Sequence, residues 1–146
     1  MSKRPYKLTV RIPNFMTGSK KWRRAMYEAV AKIQREGPVR YEKTDKLEVQ
    51  IRFHLQGRKL TILDVDNRIK DVLDALQGFM KDKGKVHRLR PIIPNDNQIY
   101  RIVAEKRLPP KADRAALSMV VIRKYSNHPT TARSAREYRK HVPAGP

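Results

Sequence analysis

The chain contains no cysteine, so neither a disulfide nor a thiolate metal site can contribute to it. Its four histidines, His54, His87, His128 and His141, stand apart without ligand spacing, which argues against zinc. Long apolar runs are missing too. Nothing approaches the roughly 20 residues that span a bilayer, and no basic helix with a broad apolar face offers itself to a membrane surface. Met1-Ser2-Lys3-Arg4-Pro5 leads into alternating residues rather than the apolar stretch of a signal peptide. Acidic residues are scarce: 14 Asp and Glu face 34 Lys and Arg, for a formal net charge of +20. So positive a surface points to a polyanion, with nucleic acid as the leading partner class and no membrane association.

What the chain does contain is periodicity. With 146 residues, it should form one domain with its own core. Tyr6, Leu8, Val10 and Ile12 alternate with Lys7, Thr9 and Arg11, the pattern of a half-buried strand that Pro13-Asn14 ends. Ser19 stands where it could cap a helix over 20–36, with Trp22, Met26, Ala29, Val30 and Ile33 on one face and Gly37-Pro38 as the stop. The cleanest alternation covers 47–55, with Leu47, Val49, Ile51, Phe53 and Leu55 against Glu48, Gln50, Arg52 and His54. Ile69, Val72, Leu73 and Leu76 then define a helix of about three turns, ending near Gly78.

Residues 81–95 read as a basic loop, and two further strands are expected at 99–104 and 117–122, joined through Pro109-Pro110. From 126 onward the chain is polar and basic, expected to be a mobile tail with one short helix at 131–141. The expected architecture is therefore α+β. A single small domain over 1–125 has a mixed sheet of about four strands packed against two or three helices, and the basic tail 126–146 follows.

Against the positive background, four of the eight aspartates fall together: Asp64, Asp66, Asp71 and Asp74. Asp96 stands alone in Asn95-Asp96-Asn97-Gln98. Helical spacing puts Asp66, Lys70 and Asp74 on one side and leaves Asp64 on the turn that leads in. Two readings are open. In one, Asp64, Asp66 and Asn67 cap the helix, whose dipole favours acids at its start, and Lys70 pairs with Asp74. In the other, Asp64, Asp66 and Asp96 hold one or two Mg²⁺ or Mn²⁺ ions, hard cations suited to carboxylate oxygens. Such ions would let the acids meet a phosphate, while Lys70 neutralises phosphoryl charge or orients the attacking water.

Three segments occur in order: Asp64-Val65-Asp66-Asn67-Arg68-Ile69-Lys70, Asp74-Ala75-Leu76-Gln77-Gly78 and Asn95-Asp96-Asn97-Gln98-Ile99. Together they resemble the RusA family of Holliday-junction resolvases, crossover junction endodeoxyribonucleases with the signature D-x-D-N-x-x-K, D-A-L-x-G and D-D-x-Q-[IV]. Pro13-Asn14 and Lys106 also look like family features, and the likeness spans roughly residues 6–124. The resemblance implies a Mg²⁺-dependent homodimer that nicks two opposed strands of a four-way DNA junction. Asp64, Asp66 and Asp96 match the catalytic metal-binding acids and Lys70 the essential lysine. It also implies a cytoplasmic, nucleoid-associated place of action, commonly for a phage or prophage product. Two departures stand out. Asn95 replaces the first acid of the family's pair, and the stretch before Asp96 is longer and basic.

The basic residues form three groups: Lys20, Lys21, Arg23 and Arg24; Lys81, Lys83, Lys85, Arg88 and Arg90; and Arg133, Arg136, Arg139 and Lys140 in the tail. The first two groups are the expected DNA contacts, gripping phosphates without reading sequence. Trp22 and Tyr27 lie where a ring could stack on a base, although the spacing of Trp22 suits the core, and Phe15 with Met16 could wedge into a junction. Two other functions fit the same composition. One is a non-catalytic basic nucleic-acid-binding protein, and the other is a nuclease for different branched or flapped DNA.

Overall fold

Each apolar alternation in the sequence becomes a strand. The computed structural model describes residues 3–15 and 19–126. Its elements run β1 (Lys7–Ile12), α1 (Ser19–Glu36), β2 (Leu47–His54), α2 (Arg58–Ile62), α3 (Val65–Leu76), β3 (Phe79–Asp82), β4 (Lys85–Arg88), β5 (Ile99–Arg107) and β6 (Ser118–Lys124). Four strands form one mixed sheet in the order β1-β6-β2-β5. Strand β6 is antiparallel to both β1 and β2, whereas β2 and β5 are parallel. A parallel pair needs a crossover long enough to return the chain, and α3 supplies it. The fold is thus α+β, a small single domain, as the periodicity predicts.

Both long helices lie against one face of the sheet. Leu47, Val49, Ile51 and Phe53 of β2 are buried there with Trp22, Met26 and Val30 of α1 and Val72, Ala75 and Leu76 of α3. On the other face charges pair across strands: Glu48 meets Arg101 at 3.0 Å and Arg123 at 3.4 Å, and Arg52 meets Glu105 at 3.4 Å. Trp22 belongs wholly to the core, and its indole N–H donates to the Pro13 carbonyl at 3.0 Å. It has no face left for a base. Phe15 packs edge-on against that indole with ring centroids 5.4 Å apart, which removes it as a free wedge. Met16 lies outside the described residues.

Three local expectations need correction. The stretch read as a basic loop contains a hairpin, β3-β4, turned by Lys83 and Gly84 at φ of 51° and 77°. Two consecutive positive φ values suit the tight two-residue turn that matches strand twist. Strand β4 is exposed along its length and β3 buries only Met80, so no apolar alternation marks the hairpin. Helix α2 was not expected; it is a short turn with no buried residue. Strand β5 continues to Arg107 because its charged end still pairs with β2, Lys106 lying opposite Phe53. The expected tail helix at 131–141 lies outside the described residues. No helix among the described residues is long and apolar enough to cross a membrane.

Candidate acidic site and basic surface

The start of α3 is fixed against the far end of β5. Leu63 is buried, and its carbonyl accepts a hydrogen bond from the Lys106 ammonium at 3.3 Å. From there α3 runs back along β5 in the opposite sense, as a crossover helix must. Its last turn is held by Ile92 and Ile93, whose N–H groups donate to the Leu76 carbonyl at 2.9 and 3.1 Å. Gly78, at φ 79°, makes the exit turn so tight that a Cβ there would run into the Leu89 carbonyl oxygen.

Asp96 opens a short 3-10 turn that leads into the near end of β5. The buried Gln98 anchors this turn by donating to the Glu42 and Asp45 carbonyls at 2.7 and 2.9 Å. Asn95 caps it: its side-chain oxygen accepts from the Asn97 N–H, and its own N–H donates to Gln98 Oε1. The residue that departs from the family pattern is therefore one half of a capping box. An amide serves that purpose as well as a carboxylate.

The structure gives the acids of α3 two different settings. Asp64 occupies the N-cap position but makes no capping hydrogen bond. Its Oδ2 instead accepts from Asn67 Nδ2 at 2.8 Å. Asp66 and Lys70 are exposed, and the expected Lys70–Asp74 ion pair is not among the contacts of the described residues. The side-chain bonds of the capping reading are thus not seen, although Asp64 at the N-cap and Asp66 in the first turn stand where the helix dipole favours an acid.

Asp71 and Asp74 sit one to two turns further on and are partly buried. Arg68 reaches Asp71 at 3.1 Å while its guanidinium lies over the rings of Phe15 and Trp22. Burial raises both carboxyls above their ordinary range. For Asp71 the charges of Arg68, Arg23 and Lys70 oppose that rise. For Asp74 Lys70 and Arg23 oppose it, whereas Asp71 and Asp96 add to it. On the sequence alone Asp71 counted in the cluster without a role, and Asp74 only as a partner for Lys70. Their signal was helix phase, since Asp71 shares the side of Arg68 that turns to α1.

For a hard divalent cation, Asp64 and Asp66 fit in chemistry and in setting, being exposed oxygen donors with few commitments. Asp96 is not gathered with them. It lies toward the other end of α3, close enough to Asp74 for its charge to be felt there. Among the described residues no three His, Asp or Glu side chains stand together as a ready metal-holding group. One chain therefore presents the acids as a pair and a distant single.

The two basic groups expected to hold DNA are about 60 residues apart in sequence and meet in space. Lys20, Lys21 and Arg24 of α1 line a cleft of about 380 Å³ with Lys81 and Lys83 of the hairpin. Arg24 pairs with Asp82 across it. A neighbouring cleft of about 290 Å³ shares Met80 and Lys81 and is lined by Arg23, Lys70, Asp71 and Asp74. A basic band thus runs from the hairpin over α1 to Lys70. Lys85, Arg88 and Arg90 are exposed but lie outside both clefts. Compared with models of known protein families and with curated proteins, the chain matches none.

Proposed function

We propose that this chain is a structure-selective endodeoxyribonuclease, dependent on Mg²⁺ or Mn²⁺, that resolves four-way DNA junctions by paired nicks. The observation that carries this reading is the run Asp64, Asp66 and Lys70. All three are exposed at the start of α3 and largely free of partners, and Lys70 lines the cleft where the basic band ends. The band offers phosphates several cations, which supports backbone binding without sequence preference. Asp64 and Asp66 would hold the ion at the scissile phosphate. A divalent ion bound there lowers the pKa of water and neutralises phosphate charge. Lys70, one turn on from Asp66, then meets the phosphoryl oxygens or orients the attacking water. Two symmetric incisions call for two such sites about a two-fold axis, and so for a homodimer.

A labelled junction incubated with Mg²⁺ tests the proposal, with wild type and Asp66→Asn side by side. Paired nicks by the wild type alone are expected. No nicks, or equal cutting by both proteins, rejects it. A non-catalytic binding protein would use the same band, but it leaves the uncommitted acids facing a polyanion without purpose. Faster cutting of flaps than of junctions would instead favour the nuclease for other branched DNA.

A further inference from the structure

Both long helices lie on one face of the sheet, and the other keeps Lys7, Thr9, Arg11, Arg101, Val103 and Arg107 exposed. Strand register orders that second face into rows. Lys7, Arg123, Glu48 and Arg101 stand side by side across the four strands. Four residues further along β1, Arg11, Met119, Arg52 and Glu105 form another row, about 13 Å away. Between them run Thr9, Val121, Gln50 and Val103, which carry no charge.

The charge of this face is one-sided. Counting Arg107 at the end of β5, five arginines and Lys7 stand against Glu48 and Glu105. Each glutamate is shared: Glu48 by Arg101 and Arg123 at 3.0 and 3.4 Å, Glu105 by Arg52 and Arg107 at 3.4 and 3.2 Å. Sharing holds four guanidinium groups in place and leaves the face positive. Lys7 and Arg11 have no acidic partner among the described residues.

Each end of the face has its own character. At one end the rings of Tyr100 and Tyr125 stand 5.4 Å apart, with Arg101 over Tyr125 at 5.1 Å and the Lys46 ammonium over Tyr100 at 5.4 Å. Tyr100 is nevertheless 55% exposed, so its ring has surface to offer. At the other end a cleft of about 570 Å³ is lined by Arg11, Arg52, His54, Arg107, Leu108 and Met119. It is larger than either cleft of the basic band.

We propose that this face is a second nucleic-acid site, one that holds a single strand of DNA. Its bases rest on Tyr100 and along the neutral row past Val103, and its phosphates meet the arginines on either side. The side chains differ in kind from those of the basic band. There the cations are chiefly lysines, compact point charges; here they are chiefly arginines, whose planar groups fork on phosphate and stack on bases. Unpaired bases present flat apolar faces that exposed aromatic rings receive. A duplex keeps those faces inside its stack and offers only phosphates. From Arg101 to Arg107 the strand spans about 20 Å, room for a few nucleotides.

Other occupants meet like charge. Residues 127–146 carry Arg133, Arg136, Arg139 and Lys140 against the single acid Glu137, and a second copy brings the same arginines. The binding itself is independent of cutting. Only the choice of DNA over RNA rests on the nuclease reading above.

Fluorescence anisotropy of a labelled dT oligomer of about 12 nucleotides, read with the full chain, tests the proposal. Tyr100→Ala, and Arg11→Glu combined with Arg107→Glu, should each weaken its binding about tenfold or more. No binding by the wild type overturns the proposal, as does an equal loss of duplex affinity in Tyr100→Ala. Binding lost in Lys20→Ala with Lys81→Ala but kept in Tyr100→Ala places the strand on the basic band and overturns it too. Tighter binding of an rU oligomer overturns the choice of DNA.

Because the chain has no cysteine, a single introduced thiol reports what covers the face. Val103→Cys should react with a maleimide as fast as Val86→Cys on β4, the two valines being 46% and 44% exposed, and dT should slow only the former. Slow reaction of Val103→Cys without DNA means that residues 127–146 or a second copy lies there. No protection by dT means that the strand lies elsewhere. Either result overturns the proposal. A chain that binds dT on this face but leaves junctions whole counts against the nuclease reading alone, and one that cuts junctions without binding dT counts against this inference alone.

Discussion

The first turn of α3 and its middle carry the same residue type and treat it differently. Asp64 and Asp66 are exposed, with one side-chain partner between them, Asn67. Asp71 and Asp74 are partly buried among Arg68, Arg23 and Lys70, and burial raises both carboxyls. The difference teaches that a carboxylate's use is decided by what the fold sets beside it. An aspartate gripped by a guanidinium over aromatic rings is committed to holding α3 against α1. One left in water at a helix start remains free to take a ligand.

The largest expected effect separates the two groups most sharply. Asp66→Asn should lower junction cutting on the order of 10²-fold or more, while its unfolding midpoint shifts by less than the equivalent of about 0.5 kcal/mol. A cleavage time course and a denaturant melt on the same preparation check both halves. Lys70→Ala comes next, with about a 10²-fold loss in cutting rate and little change in junction affinity. Equal losses in rate and affinity would move Lys70 from the chemistry to binding.

Arg68→Ala should reverse the pattern. It costs about 1–2 kcal/mol of stability by leaving the partly buried Asp71 carboxylate without its partner and uncovering the rings of Phe15 and Trp22, and cutting stays within a few-fold of wild type. If cutting collapses while the melt is unchanged, the committed and the free acids have been misassigned.

The smallest effect is a pH dependence. A carboxyl whose folded pKa is raised stabilises the fold below the ordinary value of 3.8 and loses that contribution as pH rises through the raised value. Asp45 behaves oppositely. Its hydrogen bonds from Arg4 lower its pKa, so its contribution is present above 3.8 and fades as pH falls through the lowered value. Melts across this range for wild type and for Asp71→Asn with Asp74→Asn should differ just above 3.8, where only the wild type loses stability with rising pH.

The sheet strands and both long helices could be read from the sequence because each buries one face, and burial writes a period of two or 3.6. Trp22 was placed by that same spacing. The β3-β4 hairpin escaped because β4 is exposed throughout and β3 buries only Met80, too little to leave a period. Exposure of Asp66 and Lys70 followed from helix phase. The position of Asp96 did not, since it depends on β5 pairing parallel to β2 and on α3 returning between them. The meeting of the α1 and hairpin cations was hidden for the same reason. Residues so far apart in the chain are joined only by tertiary structure.

The place of β6 has a consequence for how this protein comes into being. It is the last described strand in the chain, yet it lies between β1 and β2. During synthesis β1 therefore has no strand to pair with until residues 118–123 have been made, and β2 can join only β5. Closure of the sheet is a late, long-range event, the kind of pairing that folds slowly. A nascent chain can assemble the α3 crossover first, but it acquires a finished core only when β6 slides into the gap. Translation itself sets that moment.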